Sequence, residues 1–435
     1  MKKILTTYIA RPVSAFITHS SSGGIILLLS AVAALIFANS PLKDSYHHWW
    51  ETYLTIGWEG FSFSKTTHHW INDGLMALFF FVIGLELKRE VIGGELSRPK
   101  DAILPIMAGV GGMVIPALLY VAVNRNHVES LQGWGIPMAT DIAFALGIVY
   151  LLGDRVPTPV KVFLTALAIA DDIGAVLVIA FFYSSDISFL SLVGGLAGVA
   201  VLGIGNWVGI RSIWFYGVIG ILVVWVAFVL SGVHATIAGI LAALMIPADV
   251  KISELRLVEK MKKLAQDLKE AETNEISLLT DEQWTIISEM RRLTKMALTP
   301  LQRLEHALHP VVAFFIMPIF AFSNAGVSLE GISLSSLQNP VTLGIVLGLF
   351  IGKPLGIVGI SWITVRLGWA SLPNQTSWTQ LVGVAFLGGV GFTMSLFVTD
   401  LAFVSAEVIT QAKVGILLAS LLAGLVGFWL LRKSS

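Results

Sequence analysis

Long apolar runs are the feature that most constrains this chain. A helix needs about 20 mostly apolar residues to cross the hydrocarbon core of a bilayer, and about twelve such runs follow one another along the sequence. They extend over 23–39, 69–88, 103–123, 134–152, 159–183, 189–207, 213–229, 232–247, 307–327, 341–364, 380–400 and 411–431. The apolar residues are continuous rather than alternating in twos, which favours helices. The sequence therefore predicts an all-α polytopic membrane protein of about twelve transmembrane helices.

The composition agrees with this class. Of the 435 residues, 55% are hydrophobic and 13% are charged, against about 25% charged in an ordinary soluble domain. The balance of 28 basic and 28 acidic residues argues against a nucleic-acid partner. The sequence contains no cysteine, which excludes a disulfide framework and a thiolate metal site. The lipid bilayer is the partner that the composition indicates.

The distribution of basic residues predicts the orientation. With the N-terminus inside, twelve spans leave only Lys43, Lys65, Arg125 and Lys413 on the outer side. An excess of lysine and arginine in cytoplasmic loops is typical of helical membrane proteins. We therefore expect a multi-pass protein with both termini in the cytoplasm.

The first apolar run has two interpretations. Lys2, Lys3 and Arg11 precede it, as basic residues precede the apolar core of a secretory signal peptide. This basic segment is long for a signal peptide and many spans follow it. We interpret the run as an uncleaved first transmembrane helix, with a cleaved signal peptide as the alternative.

Two segments do not read as membrane spans. Residues 40–66, outside, carry several tryptophans and an alternating stretch at 57–63 that indicates a short interfacial hairpin and a homodimer contact. A plain aromatic interface anchor is the alternative. Residues 248–306, inside, are strongly charged and helical in pattern, and a capping box at 280–283 predicts the start of a second helix. This insert has two interpretations: a solvated pair of helices, or an element that regulates the protein or contacts the lipid surface.

These segments define the expected organisation. Residues 1–247 hold spans one to eight, residues 248–306 form the cytoplasmic helical insert, and residues 307–435 hold spans nine to twelve.

Ionisable residues inside the apolar runs mark the candidate site. Asp171 and Asp172 lie in the middle of the fifth run, Asp141 follows Thr140 in the fourth, and Lys353 lies in the tenth. A charge at membrane depth needs a partner or a watery cavity. Three carboxylates face one lysine, so protons or a cation must supply the remaining positive charge. Carboxylate and hydroxyl oxygens suit a hard cation, so the sequence predicts a site that holds either protons or a small cation.

Glycine and proline interrupt two of the runs. The fourth run has two glycines and a proline at 133–137, and the eleventh has three glycines at 388–391. Irregular backbone at membrane depth is tolerated only where it lines protein or a cavity. Interrupted spans at corresponding places in two halves indicate a transport site between inverted repeats, which we expect at about 103–183 and 341–431.

The same residues have structural interpretations. Unwound spans leave helix ends with partial charges, so Asp141 is expected to offset the positive ends and Lys353 the negative ones. Lys353 is either a counter-charge to Asp171 or itself a proton carrier. His234 is either a helix-packing residue or a titrating group.

Seven motifs occur at these positions and elsewhere along the chain. They are GLELKRE at 84–90, ATDIAFALG at 139–147, ALAIADDIGA at 166–175, SGVHAT at 231–236, RLEH at 303–306, FSNAGV at 322–327 and GKPLG at 352–356. Together they resemble the NhaA family of sodium/proton antiporters, and the resemblance runs over nearly the whole chain.

The resemblance implies a twelve-helix antiporter of a bacterial inner membrane, with crossed, unwound fourth and eleventh helices. It implies that Asp172 is the main ligand of Na⁺ or Li⁺ and that Asp171 carries a proton and pairs with Lys353. Thr140 and Asp141 would complete the cation site. Such a protein is a secondary active transporter rather than an enzyme and uses no cofactor. Exchange of more than one proton per cation would make it electrogenic.

The resemblance also implies activation by alkaline pH through a cytoplasmic group of residues. Those residues are Glu86, Arg89, Glu90, Glu305, His306 and His309, with His234 as a further candidate. Histidine beside a carboxylate titrates near physiological pH, which suits a sensor. A salt-bridge network at the cytoplasmic interface is the structural alternative. The neighbouring insert is longer than expected for the best-known members of the family.

Two other functions are open from the sequence. One is a proton-coupled cation or organic-acid symporter on the same scaffold. The other is a non-transporting membrane receptor or scaffold with residues 248–306 as its working part.

Overall fold

The structure is a computed structural model that describes residues 22–58, 61–184, 187–271, 278–328, 338–374 and 376–434. In this part of the chain the fold is helical apart from one two-stranded sheet. The helices are α1 Ser22–Ala38, α2 Lys43–Glu51, α3 Met76–Gly93, α4 Pro99–Asn124, α5 Val128–Met138, α6 Ile142–Leu151, α7 Thr158–Phe182, α8 Phe189–Val208, α9 Ile213–Ser231, α10 Ala235–Met245, α11 Glu254–Glu270, α12 Asp281–Ala297, α13 Pro300–Asn324, α14 Pro340–Arg366, α15 Trp378–Gly388, α16 Phe392–Ala402 and α17 Ala406–Lys433. The basic residues Lys2, Lys3 and Arg11 lie outside the described residues.

The described helices confirm an all-α polytopic membrane fold. Seven of them are long and apolar enough to cross a membrane, namely α4, α7, α8, α9, α13, α14 and α17. Three bent pairs, α1–α2, α5–α6 and α15–α16, bring the number to ten if each pair is one span. The two remaining expected spans correspond to α3, which carries charged residues toward its C-terminal end, and to α10, which is 11 residues long.

The expected hairpin is present. Strand β1, Tyr53–Trp58, pairs antiparallel with strand β2, Phe61–Thr66. Residues 59 and 60, between the strands, lie outside the described part of the chain. Helix α2, which precedes the hairpin, turns by 113° from the axis of α1. The segment after α1 therefore does not continue the direction of the first span.

The expected helical pair in the insert is present as α11 and α12. The side chain of Thr280 accepts from the N–H of Gln283, and the Gln283 side chain accepts from the N–H of Thr280, both at 3.2 Å. This reciprocal arrangement confirms the capping box. A second box at Thr299 and a proline at Pro300 start α13 earlier than the expected span at 307. Helix α13 therefore begins before the apolar run that was expected from residue 307.

The membrane bundle is tightest where α4 crosses α14. Gly111 and Gly356 face each other there, and a Cβ on either one would collide with the carbonyl oxygen of the other. Small residues that let two backbones touch are a main source of helix association within membranes. Helix α7 packs against the same α4. This packing brings Lys353, at the end of a π-helical turn in α14, toward the aspartates of α7.

Candidate functional site

Two broken spans meet at the centre of the bundle. Helices α5 and α6 are bent by 42° around residues 139–141, and α15 and α16 are bent by 41° around residues 389–391. The N–H of Asp141 donates to the carbonyl oxygen of Val390 at 2.7 Å, so the two breaks touch. The expectation of discontinuous, crossed fourth and eleventh spans is confirmed.

Asp141 accepts hydrogen bonds at the N-termini of α6 and α16, the half-helices that follow the two breaks. Its Oδ1 accepts from the N–H of Phe144 at 3.0 Å, at the start of α6. Its Oδ2 accepts from the N–H of Thr393 at 3.1 Å and from the Thr393 hydroxyl at 2.5 Å, at the start of α16. A carboxylate at two helix N-termini offsets their positive dipole ends, as expected from the sequence. Its hydrogen bonds do not include Asp171 or Asp172.

Lys353 and Asp171 form a fully buried ion pair. The Lys353 Nζ lies 2.7 Å from Asp171 Oδ2, and both side chains are 0% exposed. The ammonium also donates to the carbonyl oxygen of Met138, the last residue of α5, so it offsets the negative end of that half-helix. The Thr140 hydroxyl lies 2.6 Å from Asp171 Oδ2 and 2.9 Å from the carbonyl oxygen of Gly388. The structure therefore brings Thr140, Asp171 and Lys353 into direct contact.

One oxygen of Asp171 and the carboxylate of Asp172 lie at this ion pair without a hydrogen-bond partner among the described residues. Asp171 Oδ1 is buried and has no hydrogen-bond partner. Asp172 is 2% exposed and, among the described residues, forms no hydrogen bond or ion pair. Its carboxylate interacts electrostatically with Asp171 and Lys353. A buried carboxylate oxygen without a partner is costly, so the site has unsatisfied capacity for a proton or a cation.

Thr393 and Ser395 belong to the site and escaped the sequence analysis. Thr393 binds Asp141, and the Ser395 hydroxyl donates at 2.9 Å to the carbonyl oxygen of Ile136 in α5. A signal for them was present, because both follow the interruption at 388–391, as Thr140 follows the interruption at 133–137. The repeat relationship could have pointed to hydroxyl residues after both breaks.

A second charged group lies at the C-terminal end of α3. Arg89 Nη2 lies 2.9 Å from Glu90 Oε1, and Arg89 Nε lies 3.2 Å from Glu305 Oε1 at the start of α13. Glu86 interacts electrostatically with all three residues. His309 interacts electrostatically with Glu305 and with its neighbour His306. The structure thus gathers the six candidate pH-sensing residues of α3 and α13 into one cluster.

His234 lies elsewhere. Its Nδ1 is 3.2 Å from the Thr236 hydroxyl, and its ring stands edge-on to Phe397 with the centroids 5.4 Å apart. It interacts electrostatically with Asp73 and His69, near the opposite end of α3. The structure therefore does not join His234 to the cluster around Arg89.

Buried carboxylates, a buried lysine and two crossed broken helices define the protein as a secondary transporter of the membrane-embedded, inverted-repeat class. Such sites lie at the repeat interface and bind small ions or substrates. The chain belongs to the Na⁺/H⁺ antiporter 1 family, whose model matches residues 14–431.

Similar proteins cover nearly the whole chain. The Na⁺/H⁺ antiporter NhaA 2 of Syntrophotalea carbinolica is 46% identical over 429 residues, which is 98% of either chain. The Na⁺/H⁺ antiporter NhaA of Oleidesulfovibrio alaskensis is 47% identical over 97% of this chain and 93% of its own. Among solved structures, the sodium proton antiporter MjNhaP1 of Methanocaldococcus jannaschii matches with a TM-score of 0.45 and 14% identity, over 94% of this chain and 90% of its own.

Proposed function

We propose that this protein exports Na⁺ and Li⁺ in exchange for protons, using one site that is open to either side of the membrane in turn. The observation that supports the proposal most directly is the buried Asp171–Lys353 pair, with the unpartnered Asp171 Oδ1 and the buried Asp172 carboxylate beside it. Carboxylate oxygens such as these coordinate hard monovalent cations.

The geometry supports competition between the two transported species. A cation held by Asp171 and Asp172 would lie beside the Lys353 ammonium, and two positive charges repel strongly where water is scarce. Binding of the cation therefore favours loss of protons from the site, and protonation favours loss of the cation. Because the two carboxylates are adjacent, they exchange their protons as a pair.

Asp141 has a supporting role in this proposal. Its carboxylate is occupied by Phe144 and Thr393, so it stabilises the crossed breaks on which the cation site is built. The Thr140 hydroxyl lies between Asp171 and the carbonyl oxygen of Gly388, so a cation bound beside Asp171 would compete for the same oxygens.

The setting of the exchanger completes the proposal. Both termini lie in the cytoplasm of a bacterium, the protein spans the inner membrane, and the cytoplasmic cluster around Arg89 adjusts activity to pH. Two copies associate through the segment at 40–66, whose exposed strand residues include Tyr53 and Ile56. Exchange of two protons for one cation would move net charge and draw on the membrane potential.

The test is proton exchange in everted membrane vesicles that carry an acid interior and a pH-sensitive dye. Addition of Na⁺ or Li⁺ across about pH 7 to 9 should release protons and restore the dye fluorescence. Asp172→Asn should abolish the response, while Glu407→Gln, at an exposed position on the outer side, should preserve it. Absence of any response to either cation would refute the proposal, and cation uptake together with protons would indicate symport.

A further inference from the structure

The outer end of α16 is held by a buried polar cluster that the ion site does not include. This outer cluster consists of His68, Asn72, Asn324, Asp400 and Lys413. The Asn72 amide donates to Asp400 Oδ2 at 2.9 Å. Lys413 Nζ lies 3.8 Å from Asp400 Oδ1, and His68 Nε2 lies 3.5 Å from Asp400 Oδ2. Asp400 is therefore the centre of the outer cluster.

Asn324 closes the outer cluster from α13. Its amide donates to Asn72 Oδ1 at 3.1 Å, and its Oδ1 lies 2.9 Å from His68 Nε2. Asn324 is 0% exposed, and the side chains of Asp400 and Lys413 are 11% and 13% exposed. Side chains from the segment before α3, from α13, from α16 and from α17 thus meet in one place, which is buried except at His68, where the side chain is 32% exposed and, with Lys413, lines a cavity of about 290 Å³.

Helix α16 joins the outer cluster to the ion site. Its first turn carries Thr393, which binds Asp141, and its last turn carries Asp400. Seven residues of α-helix form a stiff connection of about 10 Å. Any tilt of α16 at the crossing must therefore move Asp400 relative to Asn72 and Lys413.

Asp400 does not stabilise its own helix. A carboxylate in the last turn faces the negative end of the helix dipole, which is unfavourable. The nearby ammonium of Lys413 and the amide of Asn72 compensate this cost only while α16 stays where it is. The arrangement thus favours one position of the half-helix over others.

We propose that Asp400 is a positioning residue for transport, and that the outer cluster holds the outer half of the eleventh span closed while the ion site faces the cytoplasm. A cavity of about 450 Å³ on the cytoplasmic side is lined by Asp101, Phe163 and Ala166, the last two on the helix that carries Asp171. This proposal rests on the proposed function, because alternating access requires the outer side to open in turn. Opening then requires Asp400 to leave Lys413 and Asn72.

The first test measures the apparent KM for Na⁺ separately from each side, in right-side-out and everted vesicles. Asp400→Asn keeps the shape of the side chain and removes its charge, which should populate the outward-open form. We expect the KM to fall about threefold or more on the outer side and to rise on the cytoplasmic side. Asn72→Ala removes one hydrogen bond and leaves the charges. It should therefore also lower the outer KM and raise the cytoplasmic KM, but by smaller factors than Asp400→Asn.

Matched variants separate this effect from a general defect. Glu407→Gln removes a carboxylate in the first turn of α17, outside the outer cluster, and should leave both KM values unchanged. Lys413→Gln should change the two KM values in the same way as Asp400→Asn. The double variant should show KM changes no larger than those of either single variant, because no unpaired charge is left. Additive effects of the two substitutions, or equal KM changes on both sides, would overturn the proposal.

The second test does not depend on transport. The sequence has no cysteine, so Thr399→Cys places one thiol beside Asp400 at a position that is 0% exposed. A membrane-impermeant maleimide added outside should label it faster when Asp400→Asn is also present. An unchanged labelling rate would overturn the proposal, whereas survival of exchange in Asp172→Asn would instead refute the proposed function and leave the labelling result valid.

Discussion

The hydroxyl of Thr393 donates to Oδ2 of Asp141 at 2.5 Å, and through this bond each of the two broken spans is fixed by the other. The backbone N–H of Thr393 donates to the same oxygen at 3.1 Å. Asp141 is 1% exposed and Thr393 is 0% exposed, so water cannot replace either bond. The geometry of the proposed ion site therefore depends on a contact between the two broken spans.

Thr393→Val should weaken this contact without changing the size of the side chain. Loss of a hydrogen bond to a buried charged group lowers the free energy of unfolding by about 1.5–3 kcal/mol. We expect a lower melting temperature in detergent and slower Na⁺/H⁺ exchange. Thr393→Ser retains the hydroxyl and should behave like the unsubstituted protein. Equal losses in the Val and Ser variants would show that the hydroxyl has no part in the effect.

Lys353→Met should leave Asp171 with an uncompensated buried charge. Breaking a buried ion pair in this way costs about 3–5 kcal/mol. We expect a strong loss of folded protein, measured by size-exclusion chromatography and thermal unfolding. Adding Asp171→Asn to Lys353→Met should restore much of the stability, although not the exchange, because the unpaired charge is gone. A double variant less stable than Lys353→Met alone would contradict the assigned ion pair.

The architecture was largely predictable because a bilayer restricts it. Backbone polar groups in hydrocarbon must be satisfied within the chain, so long apolar runs can only be helices. The interruptions at 133–137 and 388–391 likewise indicated the two broken spans. The early start of α13 at Pro300 was missed, since its first turns are polar and only the capping box at Thr299 and Gln302 marks them.

The candidate site could be located from the sequence where it carries charge. Asp141, Asp171 and Lys353 stood out because a charge at membrane depth is rare. Thr393 and the carbonyl oxygens of Met138 and Gly388 were missed, since a threonine or a backbone carbonyl has no signal of its own in a membrane sequence. Only the crossing of the two breaks, a tertiary contact, brings them together.

Gly356→Ala should disrupt the crossing of α4 and α14. The added methyl group would meet the carbonyl oxygen of Gly111, a backbone atom that cannot move aside. Overpacking of this kind typically costs about 1–3 kcal/mol, and here it also displaces the helix that carries Lys353. We expect a lower melting temperature and a lower yield of monodisperse protein. Gly359→Ala, one turn further along α14 and with open space around it, is the control and should have no such effect.

Substitutions of Arg89 and of Glu305 should shift the pH dependence of exchange in opposite directions. Arg89 lies among three carboxylates, so Arg89→Gln increases their mutual repulsion and the cluster reaches its fully negative state only at higher pH. If that state activates exchange, the pH of half-maximal activity should rise.

Glu305→Gln removes one negative charge instead, and the midpoint should fall. We expect each substitution to move the midpoint by about 0.2–0.7 pH units, the size that follows from the interaction energy of an ion pair at a partly exposed position. Exchange rates measured at saturating Na⁺ over a series of pH values would give these midpoints. Glu289→Gln, which breaks an exposed ion pair with Arg292 in the insert, should leave the midpoint unchanged. Shifts of the same sign in Arg89→Gln and Glu305→Gln would exclude the cluster charge as the controlling quantity.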